Sequence, residues 1–540
     1  MDIKAHFFRC TARTLFWLFF FLLSTPLLSL IHGCASLDAH VFSQFSGLIR
    51  SVWVDTLLIS FSSASLACLV GGSIAFVLVR YRFSCHSLCV ACVVVALAIP
   101  IHAQTSTWIT LAGRGGILTP SLQSLFPSFS LYNRWGVIGI TAIAHAPLAT
   151  LICSAAFAMI DPIWEEQTAF YLSPAKRICS VVLPQARWGI VTAFITVFLF
   201  SLGEITVTDV LGIDTLARKM YLFLSLYYEP TAALLLAFPF FLFTTVGSAS
   251  LYFLLRNRKM GNFRPPSPCP HAMVLSWMVL PLSLYLLPVP MMAYRSQGAG
   301  HLISVYRSIA PELWSSIRIC LMGATLLTSL SFLCSWYISR FARFYWAIVF
   351  MLVWLALVPG ALTGIGIIRI VEKCLDLPGI GALFFYLRDT SSLLIAGFVV
   401  RYFPYATLIF LVGMRFVPPQ LEETFILQGN HPLKGAIFIL IPLLRTTFSL
   451  VFLASFIFCL GDLDLSVLIV PPGTTTLTVR IFTLMHYGIR ADVACSSLYS
   501  MICVGAIFIA CFMFHALIRG RPRRNENQDR FVSRRPGKGS

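Results

Sequence analysis

The chain has 540 residues, of which 58% are apolar and only 11% charged, with a mean hydropathy of +0.85 and a formal net charge of +18. A soluble globular chain carries roughly 25% charged residues, so this composition indicates a polytopic membrane protein. The 39 basic residues lie mostly in short segments between apolar runs, as membrane orientation requires, which argues against a nucleic-acid partner.

A membrane-crossing helix needs about 20 mainly apolar residues. Such runs lie near 14–32, 54–79, 86–112, 136–160, 188–212 and 232–255, and again near 272–293, 313–338, 344–370, 393–416, 444–470 and 494–518. The expected fold is therefore all-α and polytopic, with about twelve transmembrane helices. Lys4, Arg9 and Arg13 precede the first run, a layout shared with signal peptides, but an uncleaved first span is the expectation because so many runs follow. Pro281, Pro288 and Pro290 interrupt the seventh run, a break that neighbouring helices can satisfy.

Placing the N-terminus in the cytoplasm puts Arg80, Arg82, Lys176, Arg177, Arg187, Arg256, Arg340, Arg343, Lys434, Arg445 and the basic tail on the cytoplasmic side. Each half then contains six spans, so the two are expected to enter the membrane in the same orientation, as a parallel repeat. Residues 1–255 form the first repeat and 272–518 the second, with a basic, Pro-rich cytoplasmic linker at 256–271 and a basic cytoplasmic tail at 519–540.

Two polar stretches carry the repeat. Glu165 to Pro184 and Glu423 to Pro442 share a leading glutamate, a proline nine residues on (Pro174, Pro432) and a closing apolar–Pro pair, all at an offset of 258 residues (165 to 423). The same offset maps Gly203–Glu204 onto Gly461–Asp462. An ungapped correspondence of this kind reads as an internal duplication. Within the first loop, 161–187, Asp161–Pro162 should cap and start a short helix with Glu165 and Glu166 in its first turn. In the second, 417–443, Pro418–Pro419 start the helix, Glu422 and Glu423 fill its first turn, and Gly429 can end it. A short capped helix outside the bilayer is a rigid knob for a partner's groove, or an amphipathic helix lying on the membrane surface.

The layout of a glutamate, a glycine six residues on, and a distal apolar–x–apolar–Pro resembles the EAA loop of the membrane subunits of binding-protein-dependent ABC importers. Glu423, Gly429, Ile439, Ile441 and Pro442 match that pattern, with Thr424 and Phe425 in place of the usual alanines. The first copy keeps Glu165 and Pro184 but has Glu166, Gln167 and Tyr171 at other motif positions. Gly113 to Leu118, Val358 to Gly366, and Pro471 to Thr476 with His486–Gly488 resemble segments of the fused, two-copy permeases for ferric iron, with thiamine permeases sharing the plan. The resemblance implies a translocation path in the inner membrane, a separate ABC ATPase docked in two copies on the loops, and a substrate-binding protein outside. It implies ferric iron as substrate, with thiamine or another small solute as the alternative.

Charged groups near span ends supply candidates for the path. Glu204 and Asp462 occupy equivalent positions, with Asp209 and Asp464 nearby, and all four are placed toward the outer ends of their spans. They read either as an acidic rim suited to a cation or as structural charges paired with an arginine such as Arg318, Arg369 or Arg401.

Other chemistries lack support. No G-x4-G-K-[ST] phosphate loop occurs, so ATP hydrolysis is assigned to a partner and the chain is not read as an enzyme. The spacing of Cys85, Cys89 and Cys92 matches no common metal site, and most of the 16 cysteines sit in apolar runs as small hydrophobes. His102, His145 and His486 read as isolated packing or hydrogen-bonding residues, and no cofactor or resident metal is expected. An ion-gradient-driven secondary transporter also shows parallel six-plus-six repeats, but the two loops argue against it.

Overall fold

The computed structural model describes residues 39–225, 230–256, 267–268, 271–342, 344–379, 381–428, 432–488 and 491–519, with isolated positions between 14 and 29. The protein is all-α and polytopic. Among the described residues six helices are long and apolar enough to cross a membrane, or ten if each bent helix pair counts as one span. The run near 14–32 and the tail after 519 fall mostly outside the described residues, as does most of the linker.

The two longest helices are Ala39–Arg80, of 42 residues, and Ala299–Phe341, of 43, one in each half. Each long helix is followed by a broken one. His86–Leu97 meets Ile101–Ala112 at 97°, and Tyr345–Leu357 meets Gly360–Leu375 at 97°. The cause is a proline at each break. Pro100 (φ −61°, ψ 148°) and Pro359 (φ −59°, ψ 149°) adopt the same extended backbone, because the ring fixes φ and removes an N–H from the ladder. The runs at 86–112 and 344–370, expected as single spans, are therefore sharply bent pairs. The run at 272–293 is also a pair, His271–Leu286 and Pro288–Arg295, bent by 45°.

Arg134–Ala158 and Ser392–Met414 pack against the long helices of their own halves. Small residues allow a close crossing: a Cβ on Gly71 would lie 2.6 Å from the Ala146 carbonyl oxygen and 2.8 Å from the Thr150 nitrogen. Asn133 caps Arg134–Ala158 by accepting the Gly136 N–H at 2.9 Å.

Contacts between the halves are extensive. The largest buried cluster joins Leu199, Leu202, Leu216, Met220 and Phe240 to Leu362, Phe398, Phe403 and Phe456. The first span of each half reaches across to the other. The Ser29 hydroxyl donates to the Gly366 carbonyl at 3.3 Å, while Tyr285 places its hydroxyl 3.3 Å from Thr150 and accepts from Gln104 on its carbonyl at 3.5 Å. Large apolar side chains such as Phe61, Leu69, Trp277 and Met322 point outward, as expected where lipid is the solvent. The described part of the linker, Ser267–Pro268, pairs in parallel with Tyr81–Arg82 at the C-terminal end of the first long helix.

Candidate coupling and pathway sites

Both polar loops fold in the same sequence of steps at a constant offset. Helix Pro162–Ala169 is matched by Gln420–Leu427, the turn Pro174–Arg177 by Pro432–Gly435, and a π-helical segment Ile178–Val182 by Ala436–Leu440. Pro184 and Pro442 account for the π segments. Neither can donate to the carbonyl four residues back, so the ladder widens locally just before these prolines. Asp161 caps the first short helix by accepting from the Ile163 N–H at 3.0 Å. The second copy bends by 76° at Leu444, between Ala436–Leu443 and Arg445–Gly461, where the first runs on as Leu183–Leu202. Gly429 lies outside the described residues, and Pro432 is described only as the start of its turn.

An arginine at the end of each long helix anchors each short helix. In the second half Glu422 is buried. Its carboxylate accepts from Trp336 Nε1 at 2.8 Å and from Arg340 Nε at 2.8 Å, with Arg340 Nη2 2.7 Å away. Arg340 also donates to the Val417 carbonyl at 3.0 Å. In the first half Arg80 Nη1 pairs with Glu165. Phe76 stands four residues before Arg80, as Trp336 stands four before Arg340, and it offers no N–H. A cavity of about 250 Å³ remains there, lined by Phe76, Arg80, Glu165, Glu166, Pro174 and Arg177 among others. The anchoring carboxylate of the second loop is thus Glu422, and Glu423, aligned with Glu165 in sequence, is exposed. Glu422 was visible only as a first-turn acid. Its partners lie over eighty residues away, and no local signal identifies them.

The short helices and the turns after them expose large apolar side chains among polar ones. Phe170 is 85% and Tyr171 88% exposed beside Ile163 and Trp164 in the first loop, and Leu427 is 79% exposed beside Leu421 in the second.

At the opposite end of the bundle the acidic residues divide. Helices Leu183–Leu202 and Arg445–Gly461 stop before Glu204 and Asp462, so these acids lie beyond the spans rather than within them. Each caps the next short helix: Glu204 Oε1 accepts from the Val207 N–H at 3.2 Å, and Asp462 Oδ1 accepts from Leu465 at 3.0 Å and Ser466 at 3.1 Å. Asp462 is wholly enclosed. Its other oxygen takes the Tyr402 hydroxyl and lies 3.0 Å from Arg401 Nε. Arg401 Nη2 is 3.6 Å from Asp464, and the same guanidinium acts electrostatically on Glu204 from the first half. A Cβ on Gly360 would fall 1.8 Å from Arg401 Nη1, so the guanidinium lies where any other residue would place its side chain. Gly203 in turn packs against Pro359. Glu204, Asp462 and Asp464 thus gather around Arg401 at the boundary between halves.

Asp209 does not join them. It accepts from Arg218 Nε at 2.9 Å and faces His486 Nε2 of the second half at 2.9 Å. His486, expected to be isolated, is therefore paired. His145 bonds its own helix through the Thr141 carbonyl at 3.0 Å, and His102 is buried.

The Fe(3+)-transport system permease protein FbpB 2 of Haemophilus influenzae is 25% identical over 184 residues, covering 34% of this chain and 33% of that protein. The ferric transport system permease protein FbpB of Actinobacillus pleuropneumoniae is 23% identical over 416 residues, covering 70% of this chain and 58% of its own length. The chain thus matches about a third of one relative and under three fifths of the other. No protein-family model matches it, and no solved structure matches significantly. The chain resembles ferric-iron permeases of ABC importers.

Proposed function

We propose that this chain is the permease component of a binding-protein-dependent ABC importer, forming the path for its substrate across the inner membrane. The observation that carries this reading is the pair of short capped helices, 258 residues apart (162 to 420), each anchored by a buried or half-buried carboxylate–arginine contact and each presenting exposed apolar side chains. A helix held on its inner face and exposing large apolar side chains on the other suits a groove in a cytoplasmic partner.

One ATPase subunit would dock on each helix, with both chain termini in the cytoplasm and a substrate-binding protein on the outer face. Because each anchor ties its short helix to a long membrane helix, closure of the ATPases would be transmitted through Arg80 and Arg340 into the bundle. Residues 1–255 and 272–518 act as the two moving halves, joined by the linker and crossed by each other's first spans. Ferric iron is the substrate this reading favours, supported by the two relatives and by carboxylates at the outer boundary; thiamine is the alternative.

In the path, Glu204 and Asp464 are assigned the substrate-facing roles. Asp462 is assigned to structure, since its oxygens are occupied by Tyr402, Arg401 and two backbone N–H groups. The reading is tested by purifying the chain with an ABC ATPase and a binding protein from the same organism. A stable complex and ATP-dependent uptake of ferric iron are expected; uptake by the chain alone in an ion gradient would overturn it.

A further inference from the structure

We propose that Asp209 and His486 form a proton-dependent latch joining the two halves at their outer ends. The inference rests on the permease reading only for the statement that this end faces outward.

The geometry fixes the charge. His486 Nε2 is 2.9 Å from Asp209 Oδ2, and His486 Nδ1 is 2.9 Å from the Phe482 carbonyl oxygen. An ionised carboxylate and a carbonyl have no proton to give, so both ring nitrogens must donate. Only imidazolium does this; a neutral ring keeps at most one of the two bonds. His486 is also the last residue of helix Leu477–His486, where a cation is favoured by the helix dipole.

Asp209 is held from its own side by a group that does not titrate. Arg218 Nε donates to its Oδ1 at 2.9 Å, and Arg218 is steadied by Asp214 at 2.5 Å, which also meets Lys219 at 2.9 Å. The bond across the boundary is thus the one that responds to pH. Packing around the ring comes from Phe482, 4.6 Å between centroids, with Tyr221 of the first half beyond it. The charges acting on His486 are Asp209 and, opposing it, Arg218. Other elements packed on this helix bring Glu312 and Arg318, the His301–Asp492 pair at 3.0 Å, and buried His102; Arg480 lies on the helix itself.

The hydrogen bond to Asp209 raises the His486 pKa above the ordinary imidazole value, against the effect of burial. Burial pushes the Asp209 carboxyl up, but the hydrogen bonds and charges of His486 and Arg218 outweigh it and hold the group below its usual value. The latch is therefore complete below the ordinary histidine pKa and is lost as pH rises through the raised one. At the acid end Asp209 stays ionised to lower pH than an ordinary aspartate. Separation of Thr206–Val210 from Leu477–His486 is restrained at low pH and released at high pH.

Hydrogen–deuterium exchange of the full chain in lipid nanodiscs at pH 5.5 and 8.5, corrected for intrinsic rates, tests this. Peptides covering 206–215 and 477–488 should exchange about tenfold faster at pH 8.5, as expected for losing one charge-assisted hydrogen bond. His486→Gln and Asp209→Asn should both exchange fast at either pH. Wild-type exchange that does not change with pH, or a pH dependence that survives in both variants, would overturn the latch. The measurement needs neither ATPase nor substrate, so its outcome and that of the uptake experiment are independent.

Discussion

Trp336 donates its indole N–H to Glu422 at 2.8 Å, closing a contact that Phe76 leaves open beneath the other short helix. The two short helices are thus anchored through different side chains. The second is held by an indole and a guanidinium on one buried carboxylate, while at the first the Arg80 guanidinium meets Glu165 beside a cavity. A hydrogen bond to a charged group contributes about 1.5–3 kcal/mol, and stripping a partner from a buried ion pair costs about 3–5 kcal/mol.

Trp336→Phe should therefore loosen the second helix without unfolding the bundle. Measured as ATP-driven uptake per ATP hydrolysed, coupling should fall roughly tenfold, in keeping with the loss of one such bond. Glu422→Gln should fall further. Glu423→Gln, at the exposed neighbour, should change coupling by less than about twofold, the range of an ordinary surface substitution.

Phe170 and Tyr171 are candidates for direct contact with the ATPase. Replacing both with Ser should weaken ATPase association by on the order of a hundredfold, since each aromatic withdrawn from a buried contact forfeits about 1.5–3 kcal/mol. Membrane insertion and thermal stability of the chain alone should not change. Pull-down with the purified ATPase, alongside a melting curve, separates the two effects.

Asp462 and Glu204 occupy equivalent positions but should fail differently. Asp462→Asn removes the carboxylate nearest Arg401, leaving Asp464 at 3.6 Å, and should lower the melting temperature by an amount reflecting up to about 3–5 kcal/mol. Glu204→Gln keeps an acceptor for the Val207 N–H and should leave the melt nearly unchanged while reducing uptake. Equal melting temperatures for the two variants would show that Asp462 is not the structural member of the pair.

Gly360→Ala tests the seat of Arg401. The added methyl would lie 1.8 Å from Arg401 Nη1, so the guanidinium must shift from its seat beside Asp462. The expected result is a stability loss comparable to Asp462→Asn, and little further loss in the double variant, because both break the same contact.

Much of this arrangement was legible in the sequence. The offset that aligns Glu165 with Glu423 also aligns the short helices and the π segments, because proline and capping residues set local geometry wherever they stand. Pro100 and Pro359 could have been read as the breaks that turn two expected spans into bent pairs; apolar length alone concealed them. The partners of Glu422, Asp462 and Asp209 were not legible. Arg340, Tyr402 and His486 approach them through packing between helices distant in the chain, and Arg401 emerged only as one of three arginines that sequence could not rank. The boundary acids were displaced outward from their expected spans because helices Leu183–Leu202 and Arg445–Gly461 end at the glycines before them.

The most direct test of the central claim is uptake of radiolabelled ferric iron into proteoliposomes holding the purified chain and a candidate binding protein, with and without a candidate ABC ATPase of the same organism. The account predicts ATP-dependent uptake with the ATPase, lost in Glu422→Gln, and none when the ATPase is omitted under any imposed ion gradient. Uptake driven by a gradient in the absence of the ATPase would contradict it.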